Sequence, residues 1–283
     1  MEDGTMMAQT RTKRVVVKIG TSSLIYPDGK VNLQTIDRLA YALSALQNQG
    51  CEVLLVSSGA IGVGLDLMGQ HDRPAAIAGQ QALAAIGQSQ LMSLYTRRFT
   101  DYGSMVGQLL LTYDVFDYPV SRIHVLDTIE ALLAQSIIPV INENDSVATD
   151  EMDHRTTFGD NDQLSALVAR QVDADVLIVM SDIDGLYNVD PRKYADAHLL
   201  HHVTRVTDAI LAGASGSSTR FGTGGMVTKL KAANTMIEAG KEMVLVNGAD
   251  PRVVLRVMAG EDIGTRFCPA SMMPGNEQAT LRH

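Results

Sequence analysis

The chain has 283 residues, enough for one large α/β domain or for two lobes that share a sheet. Hydrophobic residues make up 46% of it and charged residues 19%, which is typical of a soluble globular protein, and its two cysteines lack the spacing of a zinc module or a disulfide framework. The net charge of −9 would repel nucleic acid and anionic lipid, so an anionic ligand would need a locally positive site.

We expect no secretory or transit signal in residues 1–13. Residues 1–13 lack an apolar core, and the longest apolar runs fall far short of the roughly 18 residues of a membrane span. We expect a flexible tail over 1–13 and a cytoplasmic location.

Strand and helix patterns alternate along the first half. A β-branched run predicts a strand at Arg14–Gly20. Apolar residues every three or four positions predict a helix from about Asn32, its cap, to Gln49, with Gly50 just past its end. The same patterns predict strands at Cys51–Val56, Met105–Leu111 and Ile137–Ile141, and helices at Ala75–Thr100 and Pro119–Gln135.

A polar stretch from Asn142 to Asp162 separates the two halves. Beyond it we predict a helix to Val172, a strand at Val176–Met180, a Gly/Ser-rich loop over 213–225, a helix at Met226–Ala239, a strand at Glu242–Asn247 and a helix at Pro251–Ala259. Strands separated by helices predict an α/β fold whose mainly parallel sheet is covered on both faces. Such sheets bind ligands at the carboxyl ends of their strands.

Two of these strand ends combine glycine with hydroxyl or cationic groups. Lys18 lies inside an apolar strand that ends at Gly20, so it either meets a phosphate or reaches solvent from an edge strand. The segment Ser57–Gly64 reads GxxGxG, which is not the dinucleotide fingerprint GxGxxG. It fits either a tight strand–helix turn or a site for a small anion.

The polar stretch concentrates acidic residues. Asp145 follows directly on a strand that reads as buried, and the segment 159–162 (GDND) opens a helix. Carboxylates and amides there could bind an ammonium group, position a lysine or lie near magnesium. The alternative for Asp160 and Asp162 is ordinary capping of the helix.

Two later segments have the chemistry of a nucleotide site. Ser181 and Asp182 end a strand, and glycines before Met226 lead into a helix with Lys229 in its first turn, an arrangement that suits a polyphosphate. The Walker pattern GxxxxGK[ST] is absent, and so are HExxH and GxSxG, so hydrolase chemistry is not favoured.

Together these segments resemble the amino acid kinase family, and within it the branch that phosphorylates the side-chain carboxylate of glutamate. The resemblance rests on VVVKIGTSSL at 15–24, VSSGAIGVG at 56–64, INENDSVATDE at 141–151, FGDNDQLSALVA at 158–169, SDIDGLYNVDPR at 181–192 and GTGGMVTKLKAA at 222–233. It implies a three-layer αβα sandwich with about eight strands in one domain over 14–270. The amino-acid-binding part would span about 14–172 and the nucleotide-binding part about 173–270, followed by a tail over 271–283 and no PUA module.

The resemblance also implies the ligands and their residues. ATP and magnesium would serve the reaction, with magnesium carried by ATP rather than by a protein ligand. Catalysis would fall to Lys18, Lys229 and Asp162. Glutamate would be bound by Ser58, Asp145, Asn161 and Asp160. ATP would be bound by Lys18, Ser181, Asp182, Thr223, Gly224, Gly225, Met226, Val227, Thr228 and Lys229.

Further implications concern partners and alternatives. The resemblance implies a homodimer or homotetramer, inhibition by proline, a functional link to glutamyl-phosphate reductase, and no nucleic-acid or membrane partner. Some members carry a lysine just before the GDND block, where this chain has Thr156, Thr157 and Phe158. Two alternatives stay open: a sister kinase that acts on aspartate or acetylglutamate, and a nucleotide sensor without catalysis.

Overall fold

The computed structural model describes residues 12–148, 161–191, 193–194, 196–208, 210–211 and 225–273. Its strands form an eight-stranded sheet in the order β3-β4-β2-β1-β5-β7-β8-β6. The strands are β1 Arg14–Ile19, β2 Glu52–Ser57, β3 Met105–Leu111, β4 Ile137–Glu143, β5 Val176–Ser181, β6 His202–Val203, β7 Glu242–Asn247 and β8 Thr265–Phe267. Every pairing is parallel except that of β7 with β8.

Helices connect these strands. They are α1 Thr21–Leu24, α2 Leu33–Asn48, α3 Ala60–Met68, α4 Ile77–Asp101, α5 Pro119–Leu133, α6 Asn161–Gln171, α7 Met226–Glu238 and α8 Val253–Met258, with 3₁₀ turns at Tyr113–Phe116 and Ala270–Met272. A parallel pairing requires a crossover connection, and helices supply it here.

Helices cover both faces of the sheet. Successive strand residues point to opposite faces, so Val16 packs with α5, α6 and α7 while Val15 and Val17 pack with α2, α4 and α8. Tyr95 and Phe99 of α4 are among the largest fully buried side chains. The predicted three-layer αβα sandwich with a mainly parallel sheet of about eight strands is therefore confirmed.

The sequence patterns predicted most of the longer strands and helices at or near their observed bounds. Strands β3 and β7 have the predicted bounds, and α2 begins after Asn32, whose side-chain oxygen accepts a hydrogen bond from the Thr35 backbone N–H at 3.0 Å. Gly50 follows α2 with φ +88°, a left-handed conformation that glycine adopts easily. Strand β4 runs two residues further than predicted, and β6 and β8 were not predicted because two or three residues show no alternation.

A close helix pair stands behind the end of β2. Gly59, with φ +100°, turns the chain from β2 into α3. Helix α3 then packs tightly on α4, since a Cβ at Gly87 would lie 1.8 Å from the backbone oxygen of Ala60. Helix α4 is thereby held at a fixed position beside the carboxyl ends of the strands.

Candidate active site

The side chains singled out from the sequence converge at one edge of the sheet. Strands β4, β2, β1 and β5 are neighbours and run parallel, so their carboxyl ends lie side by side. Lys18, Asn142 and Ser181 lie in the last residues of three of these strands, and Ser58 follows the fourth. This is the edge at which open α/β sheets bind their ligands.

Two lysines bind opposite oxygens of one buried carboxylate. The Lys18 ammonium lies 2.6 Å from Asp162 Oδ1, and the Lys229 ammonium lies 3.1 Å from Asp162 Oδ2. Thr228 Oγ1 also donates to Asp162 Oδ2, at 2.8 Å. Strand β1 is central, between β2 and β5, so Lys18 is a buried lysine with an anionic partner and not an edge-strand lysine in solvent.

The charges of this group stabilise one another. Burial of Asp162, which is 1% exposed, opposes its ionisation, but Lys18 and Lys229 outweigh burial and hold the pKa of Asp162 below its ordinary value. Its carboxylate therefore stays charged across the physiological range. A lysine in the first turn of α7 opposes the helix dipole, and here Asp162 supplies the negative charge that offsets it.

A cleft of about 410 Å³, including the space open to solvent at its mouth, adjoins this group. Its lining residues are Thr21, Ser58, Gly59, Ala60, Ile61, Gly62, Arg73, Asn142, Asp145 and Asn161. Burial raises the pKa of Asp145 to about 6, against the opposing effect of Arg73. Since Asn161 and Asp162 are consecutive residues, a ligand in the cleft would lie next to the lysine pair.

Hydrogen bonds fix the polar side chains of the cleft. Asn161 Nδ2 donates to the backbone oxygen of Ser57 at 3.1 Å, to Ser58 Oγ at 2.9 Å and to Asn142 Oδ1 at 2.9 Å. Asn161 Oδ1 is buried and has no hydrogen-bond partner among the described residues. The cleft thus offers hydrogen-bond acceptors on Asp145 and Asn161.

The lining of the cleft also offers donors. Helix α3 begins at Ala60, directly after Ser58 and Gly59, and its first backbone N–H groups have no partner within the helix. Such a helix terminus suits an anionic group such as a carboxylate. The guanidinium group of Arg73 adds a positive charge to the lining. A ligand with both an ammonium and a carboxylate group matches this combination of acceptors and donors.

The residues predicted for the nucleotide are placed less completely. Ser181 ends β5, the strand that pairs with β1, and its Oγ donates to Asp182 Oδ1 at 3.2 Å. Gly225, Met226, Val227 and Thr228 form the start of α7 next to Lys229. Asp160, Thr223 and Gly224 lie outside the described residues.

Two polar residues that line the cleft, Asn142 and Arg73, are absent from the predicted set of site residues. Asn142 stands in the INEND segment, and its position at the end of a buried strand was a usable signal. Arg73 stands in a loop before α4, and nothing in its local pattern pointed to a site that is assembled from other parts of the chain.

Two kinds of feature are absent from the part of the chain that the structure describes. No group of three or more His, Cys, Asp or Glu side chains is placed to hold a metal ion there. No helix in the described ranges has the length and apolar character to cross a membrane.

Known proteins resemble this chain in sequence and in fold. The model of the amino acid kinase family matches residues 13–247. A glutamate 5-kinase of Lactiplantibacillus plantarum is 56% identical over 93% of this chain and 99% of its own, and one of Lactococcus lactis is 55% identical over 90% and 94%. The carbamate kinase of Giardia lamblia has a TM-score of 0.64 at 15% identity and matches 92% of this chain and 99% of its own. The UMP kinase of Bacillus anthracis has a TM-score of 0.61 at 17% identity and matches 91% of this chain and 96% of its own.

Proposed function

The chain belongs to the amino acid kinase family, and from this premise we propose that it is a glutamate 5-kinase. It transfers the γ-phosphoryl group of ATP to the side-chain carboxylate of L-glutamate and forms L-glutamyl 5-phosphate, the first step of proline biosynthesis. The sequence relatives named glutamate 5-kinase support the substrate, since they match at 51–58% identity over at least 90% of the chain. The observation that carries the mechanism is the pair of lysines on Asp162, next to a cleft with both donors and acceptors.

The nucleophile of this reaction needs no general base. A glutamate side chain, with a pKa of about 4.3, is already ionised at neutral pH. An oxygen of that carboxylate attacks the γ-phosphorus of ATP, and the bond from this phosphorus to the bridging oxygen of ADP breaks. The difficulty is the approach of two anions, which positioning and neutralisation of charge relieve.

Lys18 and Lys229 supply that neutralisation. Their ammonium groups are held by Asp162, so they are in place before the substrates bind and need no rearrangement during the reaction. The Lys18 ammonium forms an ion pair with Asp162 Oδ1, and with three N–H groups it can also bind phosphoryl oxygens. Asp162 is a positioning residue in this account.

The cleft orients glutamate toward the lysines. The ammonium group meets Asp145 and the oxygen of Asn161, and the α-carboxylate meets Ser58 and the N-terminus of α3. The side chain then extends past Asn161 toward Asp162 and its two lysines. Asp160 completes our proposed set for the amino acid.

The nucleotide occupies the later part of the chain, over about residues 173–270, and the amino acid the part over about 14–172. Ser181, Asp182 and the segment Thr223–Lys229 bind ATP at the ends of β5 and α7. Magnesium would be held by the ATP phosphates and would neutralise their charge.

A substrate panel tests the proposal. The chain is incubated with ATP, magnesium and hydroxylamine, which traps acyl phosphates as hydroxamates, together with L-glutamate, L-aspartate or N-acetyl-L-glutamate. We expect product with L-glutamate alone. Product with another acid would mean that the chain is a kinase for that acid. No product from folded, ATP-binding protein would favour a nucleotide sensor.

Regulation and partners extend the proposal. We expect proline to compete with glutamate because it carries the same ammonium and α-carboxylate groups, and turnover that is indifferent to millimolar proline would contradict this. We also propose that the chain forms a homodimer or homotetramer. We propose a functional link to glutamyl-phosphate reductase, which would consume the labile acyl phosphate. A cytoplasmic location is in keeping with the free thiols of Cys51 and Cys268.

A further inference from the structure

A chain of side-chain amides links helix α4 to the cleft. Gln88 of α4 accepts, through Oε1, a hydrogen bond from Asn142 Nδ2 at 2.8 Å. Asn142 Oδ1 in turn accepts from Asn161 Nδ2 at 2.9 Å. All three side chains are buried, at 8%, 3% and 4% exposure for Gln88, Asn142 and Asn161. Gln88 has no part in the mechanism above, because it does not line the cleft.

Backbone groups and the acceptor oxygen of Gln88 together set which way the two asparagine amides point. The backbone N–H of Glu143 can only donate, and it donates to Asn142 Oδ1 at 2.9 Å, so Asn142 turns its NH₂ group toward Gln88. The backbone oxygen of Ser57 can only accept, so Asn161 turns its NH₂ group toward Ser57. The oxygen of Asn161 then faces the other way, buried and without a partner among the described residues.

The Asn161 oxygen could accept a hydrogen bond from a ligand. A buried acceptor that lacks a hydrogen bond is unfavourable, and a ligand N–H removes the deficit. Asn161 and Asp145 line the same cleft, and the Asn161 oxygen is the amide atom that lacks a partner. An ammonium group, with three N–H donors, can serve the carboxylate and the amide oxygen together.

We propose that Gln88 is a positioning residue for the amino acid substrate: through Asn142 it keeps the amide oxygen of Asn161 turned toward the α-ammonium group. The inference rests on the proposed function, because it takes an amino acid as the occupant of the cleft. Gln88 itself touches neither substrate nor the reacting atoms. Its effect passes through two hydrogen bonds.

The location of Gln88 suits this role. Its neighbour Gly87 lies against the backbone of α3, so the backbone from which Gln88 projects has little freedom to shift. One face of α4 also supports the other end of the network, since Tyr95 OH and Ser57 Oγ lie 2.8 Å apart in a buried hydrogen bond. A rigid helix thus holds the amides from behind the cleft.

Replacement of Gln88 by methionine tests the role. Gln88→Met keeps the length of the side chain and removes the acceptor for Asn142. We expect KM for L-glutamate to rise about tenfold, as for loss of one directed hydrogen bond, with KM for ATP within about twofold of the wild type. Glutarate, the same dicarboxylate without the amino group, is the probe for the ammonium contact, and its competitive inhibition constant should change by less than about twofold.

Three further variants separate positioning from folding. Gln88→Glu retains acceptor oxygens and should restore KM for glutamate. Gln90→Met makes the same change two residues along the helix and should leave both constants at wild-type values. Gln88→Ala removes the acceptor without filling the space, and replaces Gln88→Met if that variant does not fold. Thermal unfolding of each variant establishes that the fold is intact.

The outcomes separate this inference from the proposed function. A wild-type chain that does not phosphorylate glutamate refutes the proposed function. Where the wild type is active, an unchanged KM in Gln88→Met overturns the positioning role. Equal weakening of glutamate and glutarate overturns it as well, because a general disturbance of the cleft would not distinguish a ligand that has an ammonium group from one that lacks it.

Discussion

Asp162 is the residue that brings the two lysines together. It is 1% exposed and binds Lys18 and Lys229 on its two oxygens, so its charge is needed to keep two buried ammonium groups close to each other. The sequence left helix capping open as the role of this aspartate. In the structure it lies in the first turn of α6 and its side chain binds the lysines, so capping does not account for it.

Loss of Lys229 should remove turnover and leave the fold intact. We expect Lys229→Ala to lower kcat by about 10²–10³-fold, the usual effect of losing one donor that stabilises a transition state. KM for glutamate should change little, because Lys229 does not line the cleft. Lys231→Ala, an exposed lysine in the same helix, is the matched control. A Lys229→Ala variant with near wild-type kcat would contradict the catalytic role of Lys229.

Asp145 should impose a pH limit on glutamate binding. Burial raises its pKa to about 6, so the carboxylate that meets the ammonium is charged above that pH and becomes neutral below it. KM for glutamate should therefore rise by about tenfold per unit as pH falls below 6, while neither carboxylate of free glutamate titrates there. Steady-state kinetics between pH 5 and 8 measure this acidic limb, which is the rise of KM for glutamate below pH 6.

The control for this limb is Arg73. Since Arg73 lowers the pKa of Asp145, Arg73→Met should move the midpoint to higher pH. Asp145→Asn should weaken glutamate binding and remove the limb altogether. A limb that persists in Asp145→Asn belongs to another group.

At the scale of elements, the close contact with α4 fixes the position of α3, which lines the cleft. Helix α3 supplies the wall with backbone donors, and α4 carries Gln88 and Tyr95. Glycines permit the approach: a Cβ at Gly64 would lie 2.2 Å from the backbone oxygen of Leu83, and one at Gly87 would meet Ala60. These elements can meet so closely only where one side lacks a side chain.

A methyl group at this contact should disturb stability and binding together. Gly87→Ala should lower the free energy of unfolding by about 1–3 kcal/mol, the usual effect of overpacking, because backbone rather than a flexible side chain occupies the space. We expect KM for glutamate to rise as well. Denaturant unfolding measures the first effect, and Ser89→Ala, on an exposed position of α4, is the control. Unfolding of Gly87→Ala at the wild-type midpoint would mean that the helices separate at no cost.

Many of the helices, strands and turns could be predicted from the sequence. Long periodic segments such as α2, and buried β-branched strands such as β1, carry strong local signals, and the glycine-rich turns marked the carboxyl ends of the strands. Lys18 and Asn161 stand in such local motifs, and their predicted roles came from the resemblance of these motifs to the amino acid kinase family.

The rest depends on contacts between distant parts of the chain. Gln88 and Asn142 are 54 residues apart and Lys229 and Asp162 are 67 apart, and no local pattern states such distances. Strands β6 and β8 exist as strands only because they pair with each other and with β7. Gln88 reads as one more polar residue of a helix until its partner is known.

The whole molecule carries a net charge of −9 and yet binds two anions in our account. Local cations and helix termini must therefore outweigh the overall field, and they are collected at one edge of the sheet. Binding at this edge ties α3, α6 and the end of β4 to one ligand, so it should stabilise the domain as a whole.

Glutamate should therefore raise the temperature of unfolding. At about one hundred times Kd a ligand of the folded state alone adds about 2.7 kcal/mol to the free energy of unfolding. Differential scanning calorimetry with and without L-glutamate measures the shift, and Asp145→Asn should show a smaller one. An equal shift in both proteins would place the binding of glutamate elsewhere.

The central claim is that a side-chain carboxylate oxygen of glutamate attacks the γ-phosphorus of ATP. L-Glutamate labelled with ¹⁸O in its γ-carboxylate is incubated with ATP, magnesium and hydroxylamine, which attacks the acyl carbon and releases phosphate with the bridging oxygen. The account predicts inorganic phosphate that carries one ¹⁸O atom by mass spectrometry. Phosphate free of label, formed at the same rate, would show that water rather than glutamate accepts the phosphoryl group and would contradict the account.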